Sequence, residues 1–407
     1  MELSVEWLVM TTQGQPTSPA LLALAGALAL ATAMGIGRFA FTPMLPLMIE
    51  ERLLDVAQGG WAAAANYVGY FVGALTAARM PLRAGALAVI ALMGTAAFTA
   101  AMAWPLAEIW LLLRFLAGVA SAWVFVATSV WCLGTLAQRG AMHAIGFVYA
   151  GVGIGIALVG LCCLVAAVGG VPSALLWLQL GGLALLLSLP ACWVIARTPA
   201  NTRERFAQDA GERSHVDTRV TRGLVVCYGI MGFGYILPAT FLPVLARNVV
   251  DDPRIFGLAW PVFGATAAIS TLLAVPLLQG RARLMTWAAC QLLMGVGVLL
   301  PGISSNLWSI CASAFLVGGT FMVITLAGVQ EMRARAPADA AHHVGRITAA
   351  FAVGQIMGPV VSATLLHEGP NGLAVAFAVG AAALFATALW LARAASQQSH
   401  TELTSHG

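Results

Sequence analysis

The chain has 407 residues, of which 60% are hydrophobic and 9% are charged, and its formal net charge is +4. A soluble globular domain carries charge on about a quarter of its residues, so this composition excludes water as the main solvent of the chain. The positive residues are all arginines and form no basic patch with interleaved aromatic residues, which excludes a nucleic-acid-binding surface. The apolar surplus predicts a protein embedded in a lipid bilayer.

The apolar stretches have the length of membrane-spanning helices, which need about 20 residues. The first half of the chain, divided at its charged and turn-forming clusters, predicts six spans near 20–44, 60–79, 84–103, 107–131, 142–167 and 172–196. The second half predicts six more, near 222–246, 255–278, 284–303, 307–330, 345–366 and 371–394. We therefore predict an all-α membrane protein with twelve transmembrane helices.

A polar segment between the sixth and seventh spans divides the predicted helices into two sets. The stretch from Arg197 to Arg222 contains six arginines and four acidic residues, a charge pattern that is typical of a solvated linker. We therefore expect three parts, which are an N-terminal six-helix bundle over residues 1–196, a cytoplasmic linker over 197–221 and a C-terminal six-helix bundle over 222–407.

The distribution of the arginines predicts the orientation of the chain. With the N-terminus inside, fifteen arginines lie on the cytoplasmic side and three lie in external loops. Cytoplasmic loops of membrane proteins carry an excess of positive residues. We therefore predict a multi-pass protein of the cell inner (plasma) membrane with both termini cytoplasmic. The remaining two arginines, Arg38 and Arg114, lie inside predicted spans.

The two halves of the chain contain short segments that correspond to each other. Residues 35–41 (GIGRFAF), near the end of the first span, correspond to residues 229–235 (GIMGFGY) in the seventh. Residues 114–118 (RFLAG) in the fourth span correspond to residues 314–318 (AFLVG) in the tenth. Such internal similarity favours a transporter built from a duplicated six-helix unit.

Six plus six helices, a charged central linker and cytoplasmic termini resemble the major facilitator superfamily, whose two bundles surround a midplane cavity and move against each other. Residues 34–43 (MGIGRFAFTP) and 65–70 (ANYVGY) resemble the first two helices of the bacterial YbfB/YjiJ-type branch of that superfamily. This resemblance implies a secondary active transporter that works by alternating access, without naming its solute.

Three further segments resemble, or depart from, motifs of the superfamily. Arg114, with small residues following it, resembles the helix-4 arginine motif, and residues 151–155 (GVGIG) resemble the glycine-rich helix-5 motif associated with antiporters. Between helices 2 and 3, Ala77 lies near the position where the superfamily carries an aspartate. We therefore expect the inner gate to close through a different contact.

The two deep arginines are the first candidates for a binding site. A charge at the centre of a spanning helix costs at least about 2.5 kcal/mol, so it is found where water, a partner or a ligand meets it. One interpretation is that Arg38 and Arg114 bind an anionic group, because guanidinium forms bidentate hydrogen bonds with carboxylate or phosphate. The other is a structural role, with the arginines bonded to helix carbonyls or to Glu108.

Other polar side chains in the apolar spans either orient a small ligand or bond between helices. The candidate binding residues are Asn66, Tyr70, Tyr149, Tyr228, Tyr235 and Gln355. The candidates for proton coupling are Glu108, His143 and Glu331, which lie at predicted helix ends and are otherwise interfacial residues. If none of these three residues couples transport to protons, we expect the coupling to come from a protonated substrate or from exchange for a counter-anion.

Two deep cations without a deep acid favour a small anionic organic solute. The alternative within transport is an exporter of hydrophobic or drug-like compounds. An integral-membrane enzyme acting on lipid needs a nucleophile with a base or a metal cluster, and a membrane sensor needs a soluble output domain. The sequence indicates neither, so we predict a transporter rather than an enzyme, with no cofactor and no bound metal. Its expected partners are the bilayer, the solute, and protons or a counter-anion.

Overall fold

A computed structural model describes residues 17–198, 218–249, 257–278, 282–304, 306–337, 339–367 and 372–405, and helices make up most of them. Most of the predicted linker, residues 199–217, lies outside the described residues, as do both ends of the chain. The prediction of an all-α membrane protein is confirmed.

Within each half, the described helices follow one another in chain order. The first half contains α1 (Pro19–Leu30), a π-helix (Ala31–Arg38), α2 (Phe41–Glu50), α3 (Val56–Ala77), α4 (Ala84–Ala101), α5 (Ala107–Gln138), a 3-10 turn (Met142–Ala144), α6 (Ile145–Gly169) and α7 (Ser173–Arg197). The second half contains α8 (Thr218–Val249), α9 (Ala259–Ala274), a 3-10 turn (Val275–Leu278), α10 (Ala282–Ile303), α11 (Leu307–Arg335), α12 (Ala340–His367) and α13 (Gly372–Ser405).

Eleven helical stretches of the described chain are long and apolar enough to cross a membrane, and each coincides with a predicted span. The first runs from Pro19 to Glu50 and combines α1, the π-helix and α2. The twelfth predicted span, 60–79, corresponds to α3, which has 22 residues. That helix is long enough to span, but its glycines, Asn66 and two tyrosines make it less apolar than the other eleven.

The first spanning stretch is irregular at its middle. Phe39 N donates to Met34 O at 3.1 Å, five residues back, which is the π-helical pattern. Pro43 has no N–H to donate to the carbonyl of Phe39, so one α-helical hydrogen bond is missing just after the π-helix. Single π-turns are frequent at functional sites, and this one ends at Arg38.

Close helix pairs hold each half together and join the two halves. In the first half α3 packs on α5, and in the second half α10 packs on α13 and α8 on α12. The halves meet most extensively where α6 packs on α9 and where α3 packs on α12, with smaller contacts of α5 with α12 and of α6 with α11. Glycines permit the first of these contacts, because a Cβ at Gly153 would lie 2.4 Å from Ala268 N and one at Gly264 would lie 2.3 Å from Ala157 N. Small residues let helix backbones approach closely in membranes.

Candidate functional site

The guanidinium of Arg38 lies among four aromatic rings at the centre of the helical bundle. Arg38 is 2% exposed, and its Cζ is 3.5 Å from the ring centroid of Tyr70. The rings of Phe39, Tyr67 and Phe351 lie 5.6–5.9 Å from the same atom. We call these four rings the aromatic cage. Aromatic faces attract a cation and stabilise it where water is excluded.

Arg38 also contacts the second half of the chain. Its Nη2 donates a hydrogen bond to Oε1 of Gln355, which lies on α12 and is fully buried. The other guanidinium nitrogens that carry hydrogen, Nε and Nη1, have no hydrogen-bond partner among the described residues. Nε2 of Gln355 is likewise without a partner in the described part of the chain. All three unpaired groups are hydrogen-bond donors.

A fourth unpaired polar group lies next to the aromatic cage. The ring of Tyr235 stacks on Phe321 with centroids 4.6 Å apart and lies 5.9 Å from the ring of Phe351. The Tyr235 hydroxyl is buried, and within the described residues it has no hydrogen-bond partner. Buried polar groups in proteins are nearly always hydrogen-bonded, so donors in this position favour a ligand that accepts hydrogen bonds.

Arg114 is bonded to the backbone rather than to an acidic residue. Its Nη1 donates to Gly37 O at 3.3 Å and its Nη2 donates to Arg38 O at 3.1 Å. The guanidinium lies over the ring of Phe41, with its Cζ 4.7 Å from the centroid. Glu108 is exposed at the start of α5. Of the two partners expected for a structural Arg114, the geometry therefore supports the helix carbonyls.

A second side chain of α5 bonds to the same π-helix. Ser121 Oγ donates to Ala33 O at 2.8 Å. Asn66, predicted as a binding residue, instead donates from Nδ2 to Arg114 O at 3.0 Å. A Cβ at Gly118 would lie 2.2 Å from Asn66 O, so α3 and α5 touch at this level. Asn66, Arg114 and Ser121 together hold the irregular stretch that presents Arg38.

A small cavity adjoins the aromatic cage between the two halves. Its volume is about 10 Å³, room for about one water molecule, so the protein is closed around its centre. The walls are formed by Met34, Tyr70, Phe125, Tyr228, Phe321, Met322, Thr325, Thr348 and Phe351. Tyr70 and Phe351 belong to both the cage and the wall, which places the Arg38 guanidinium beside the cavity.

A wider cavity of about 500 Å³, which we call the vestibule, opens among the loop ends of α5, α6, α10, α11 and α12. Its lining includes His143, Arg283 and Arg333. Arg333 on α11 crosses to the first half, where its Nη1 donates to Ser129 O at 2.5 Å. Ser129 Oγ in turn shares a 2.8 Å hydrogen bond with the hydroxyl of Tyr149. This cross-half contact was not predicted from the sequence.

The three candidate coupling residues lie away from the wall of the central cavity. Glu331 is bound by two arginines, with Arg283 Nη1 at 3.0 Å and Arg335 Nε at 2.8 Å from its carboxylate oxygens. His143 is exposed on the 3-10 turn before α6, and Glu108 is exposed at the start of α5. Within the described residues, no group of three or more His, Cys, Asp or Glu side chains is placed to hold a metal ion.

The predicted residues therefore separate into two groups. Arg38, Tyr70, Tyr228, Tyr235 and Gln355 surround the centre. Arg114, Asn66 and Tyr149 bond to neighbouring helices instead.

The sequence reasoning missed other residues of the centre. Seven wall residues are apolar residues or threonines, which are common in spanning helices and do not indicate a site: Met34, Phe125, Phe321, Met322, Thr325, Thr348 and Phe351. Tyr67 could have been found, because it lies three residues before Tyr70 and so on the same helix face.

Comparison with known proteins places this geometry in a family context. The family model described as "Uncharacterised MFS-type transporter YbfB" matches residues 30–392. No curated protein matches the chain in sequence. The solved structure of the human organic anion transporter MFSD10 (TETRAN) is similar with a TM-score of 0.69 and 13% identity, over 93% of this chain and 100% of that one. The transporter FucP in its outward conformation is similar with a TM-score of 0.66 and 15% identity, over 90% and 98%.

Proposed function

The chain belongs to the family of YbfB-type transporters of the major facilitator superfamily, and on that premise we propose that it carries a small anionic organic solute by alternating access. The resemblance seen in residues 34–43 and 65–70 is confirmed by the family match. The protein is a multi-pass membrane transporter, and proteins of this family and fold are not enzymes. The identity of its solute is the subject of the proposal.

The set of unpaired donors around Arg38 carries the proposal. Arg38 Nε and Nη1, Gln355 Nε2 and the Tyr235 hydroxyl are buried without partners among the described residues. Each donates a hydrogen bond, and two belong to a positive group. A carboxylate offers about four acceptor positions and a negative charge, which suits this set better than a neutral or cationic solute does.

The charges near the centre support the same solute class. Among the described residues, the cavity wall and the aromatic cage contain no acidic residue, and the second deep arginine, Arg114, donates to the backbone carbonyl of Arg38 itself. Such a site attracts anions and repels cations. The human protein of similar fold, MFSD10, is described as an organic anion transporter. Its 13% identity to this chain supports the fold alone, so the proposed solute class rests on Arg38.

Alternating access requires that contacts between the two halves break and form again. Two hydrogen bonds across the halves are candidates for this exchange, from Arg38 to Gln355 at the centre and from Arg333 to Ser129 near the vestibule. We propose that an arriving anion replaces Gln355 as the partner of Arg38. Arg333 would supply the inner-gate contact in a chain that carries Ala77 where the superfamily has an aspartate.

Coupling and orientation complete the proposal. Because Glu331 is held by two arginines and Glu108 and His143 are exposed, we propose that protons travel on the solute itself or that a counter-anion is exchanged.

The arginine asymmetry supports placement in the inner membrane with both termini cytoplasmic. On the same basis we propose two six-helix bundles, residues 1–196 and 222–407, with the linker between them.

Export of hydrophobic compounds is the second candidate function. It is favoured by one observation, the aromatic and methionine side chains that form most of the cavity wall. Such a carrier would need no guanidinium at its centre.

Uptake into proteoliposomes separates the two functions. We would measure initial uptake of radiolabelled carboxylic acids, sugars and cationic dyes by the wild-type protein at a fixed pH. The proposal expects transport of at least one acid and no transport of the dyes. Transport of dyes or neutral compounds alone would support the exporter and contradict the proposal.

A further inference from the structure

We infer that the solute is a monocarboxylate with an aromatic or similarly flat apolar body. This inference deepens the proposed function and rests on it. Two properties of the central site support it, which are the number of free positive groups and the chemistry of the walls.

The central site offers one free positive group. Arg114 has both terminal nitrogens bonded to the carbonyls of Gly37 and Arg38, which leaves only its Nε without a partner in the described part of the chain. Among the described residues that form the wall, none is a lysine, arginine or histidine. Arg38 therefore supplies the charge that meets the solute, with Nε and Nη1 as the two free donors of one guanidinium. When the solute has replaced Gln355, Nη2 and a neighbouring nitrogen of this one guanidinium can pair with one carboxylate in a bidentate arrangement.

The two threonines of the wall have their hydroxyl groups bonded within their own helices. Thr325 Oγ1 donates to Phe321 O at 3.0 Å and Thr348 Oγ1 donates to Val344 O at 2.7 Å, each within its own helix. These hydroxyls add no charge to the site. A second carboxylate on the solute would meet no second positive group among the described wall residues, and burying a charge that no opposite charge balances is strongly unfavourable.

The apolar wall is aromatic on several sides. Phe125, Phe321 and Phe351 contribute rings, and Met34 and Met322 contribute flexible thioethers. Aromatic rings pack favourably in stacked or edge-to-face arrangements, and methionine adapts its shape to the group it meets. A solute with a flat apolar body gains these contacts, whereas a short acid such as acetate leaves most of the wall uncovered.

Binding of matched probes to the purified wild-type protein tests this inference. We would follow thermal unfolding in detergent against benzoate, isophthalate, acetate and benzamide, so that membrane leakage of neutral acids plays no part. These probes vary the number of carboxylates, the presence of the ring and the presence of the charge. A ligand that binds the folded state raises the melting temperature, and at equal ligand concentration the rise is larger for the ligand of higher affinity.

We expect benzoate to bind about ten-fold or more tightly than each of the other three probes. Arg38→Gln should abolish the rise in melting temperature that benzoate causes, and the exposed control Arg393→Gln should retain that rise. If isophthalate or acetate binds as tightly as benzoate and depends on Arg38, the anion proposal stands and the inference is wrong. If benzamide binds as well as benzoate and no probe depends on Arg38, both are wrong. Because the ligand series is read on the wild-type chain, the inference stays testable even if Arg38→Gln misfolds.

Discussion

Arg38 at the end of the π-helix donates a hydrogen bond to Gln355 on α12, which joins two side chains 317 residues apart in the chain. The bond crosses from the first half to the second at the level of the closed central cavity. The same guanidinium keeps two nitrogens unpaired among the described residues. Arg38 is therefore both a contact between the halves and the group best placed to meet an anion.

Replacing Gln355 with glutamate is expected to hold the protein closed. A carboxylate at this position forms an ion pair with the buried guanidinium of Arg38, whereas the amide oxygen of Gln355 offers the same donor only a neutral acceptor. We predict that Gln355→Glu raises the melting temperature and lowers the initial rate of anion uptake by about ten-fold or more. Unfolding of the purified protein and uptake into proteoliposomes measure the two effects.

The control for this variant is Gln355→Met, which removes the acceptor while keeping a similar volume. Arg38 then loses its partner on α12, so the melting temperature should fall instead of rising. A Gln355→Glu protein that transports at the wild-type rate would show that this contact does not have to break during transport.

Arg114 is expected to act through the π-helix rather than on the solute. Arg114→Gln removes two hydrogen bonds from a charged donor to the carbonyls of Gly37 and Arg38. Hydrogen bonds to charged groups contribute about 1.5–3 kcal/mol each, so the loss of two should lower the free energy of unfolding by about 3–6 kcal/mol. Chemical or thermal unfolding measures the loss, and Arg114→Lys should recover part of it. An unchanged stability combined with lost anion binding would instead assign Arg114 to the solute.

The contact between Arg333 and Ser129 is expected to close the protein on the vestibule side. Arg333→Gln removes the 2.5 Å hydrogen bond to Ser129 O. We predict faster amide hydrogen exchange in the loop ends of α5 and α11, because this part of the two halves separates more often. The matched control is Arg335→Gln, since Arg335 bonds to Glu331 within its own helix. Equal exchange in the two variants would argue against an inner gate at Arg333.

Gly153 is expected to tolerate no side chain. A Cβ there would lie 2.4 Å from Ala268 N on α9, and a backbone atom cannot move aside as a flexible side chain can. Gly153→Ala should lower the free energy of unfolding by about 1–3 kcal/mol. A Cβ at Gly182 meets nothing within 4 Å, so Gly182→Ala should leave stability unchanged or slightly raised. Similar melting temperatures for the two variants would contradict the close packing of α6 and α9.

Most of the fold could be predicted from the sequence because lipid imposes long apolar runs on every spanning helix. Eleven predicted spans coincide with helices of sufficient length and hydropathy. The twelfth predicted span corresponds to α3, which is less apolar than the other eleven. It packs closely on α5 through Gly69, Gly73 and Gly118, and residues that serve helix contact are less apolar than residues that face lipid.

The site could be predicted only in part. The cost of a buried charge pointed to Arg38, and Gln355 was found as a polar residue in an apolar span. The role of Arg114 could not be read from the sequence, because its partners are backbone carbonyls and every residue has one. Arg333 lies two residues from the end of α11 and resembled a loop charge, although its long side chain reaches Ser129 in the other half.

The central claim is that Arg38 binds an anionic solute, and uptake by Arg38 variants tests it most directly. We would compare initial uptake of one transported acid by the wild-type protein, Arg38→Gln, Arg38→Lys and the exposed control Arg393→Gln, each shown to be folded by its melting profile. The account predicts a loss of about ten-fold or more in Arg38→Gln, a smaller loss in Arg38→Lys, which keeps the charge without the planar fork, and full activity in Arg393→Gln. Wild-type uptake of the acid by a folded Arg38→Gln protein would contradict the account.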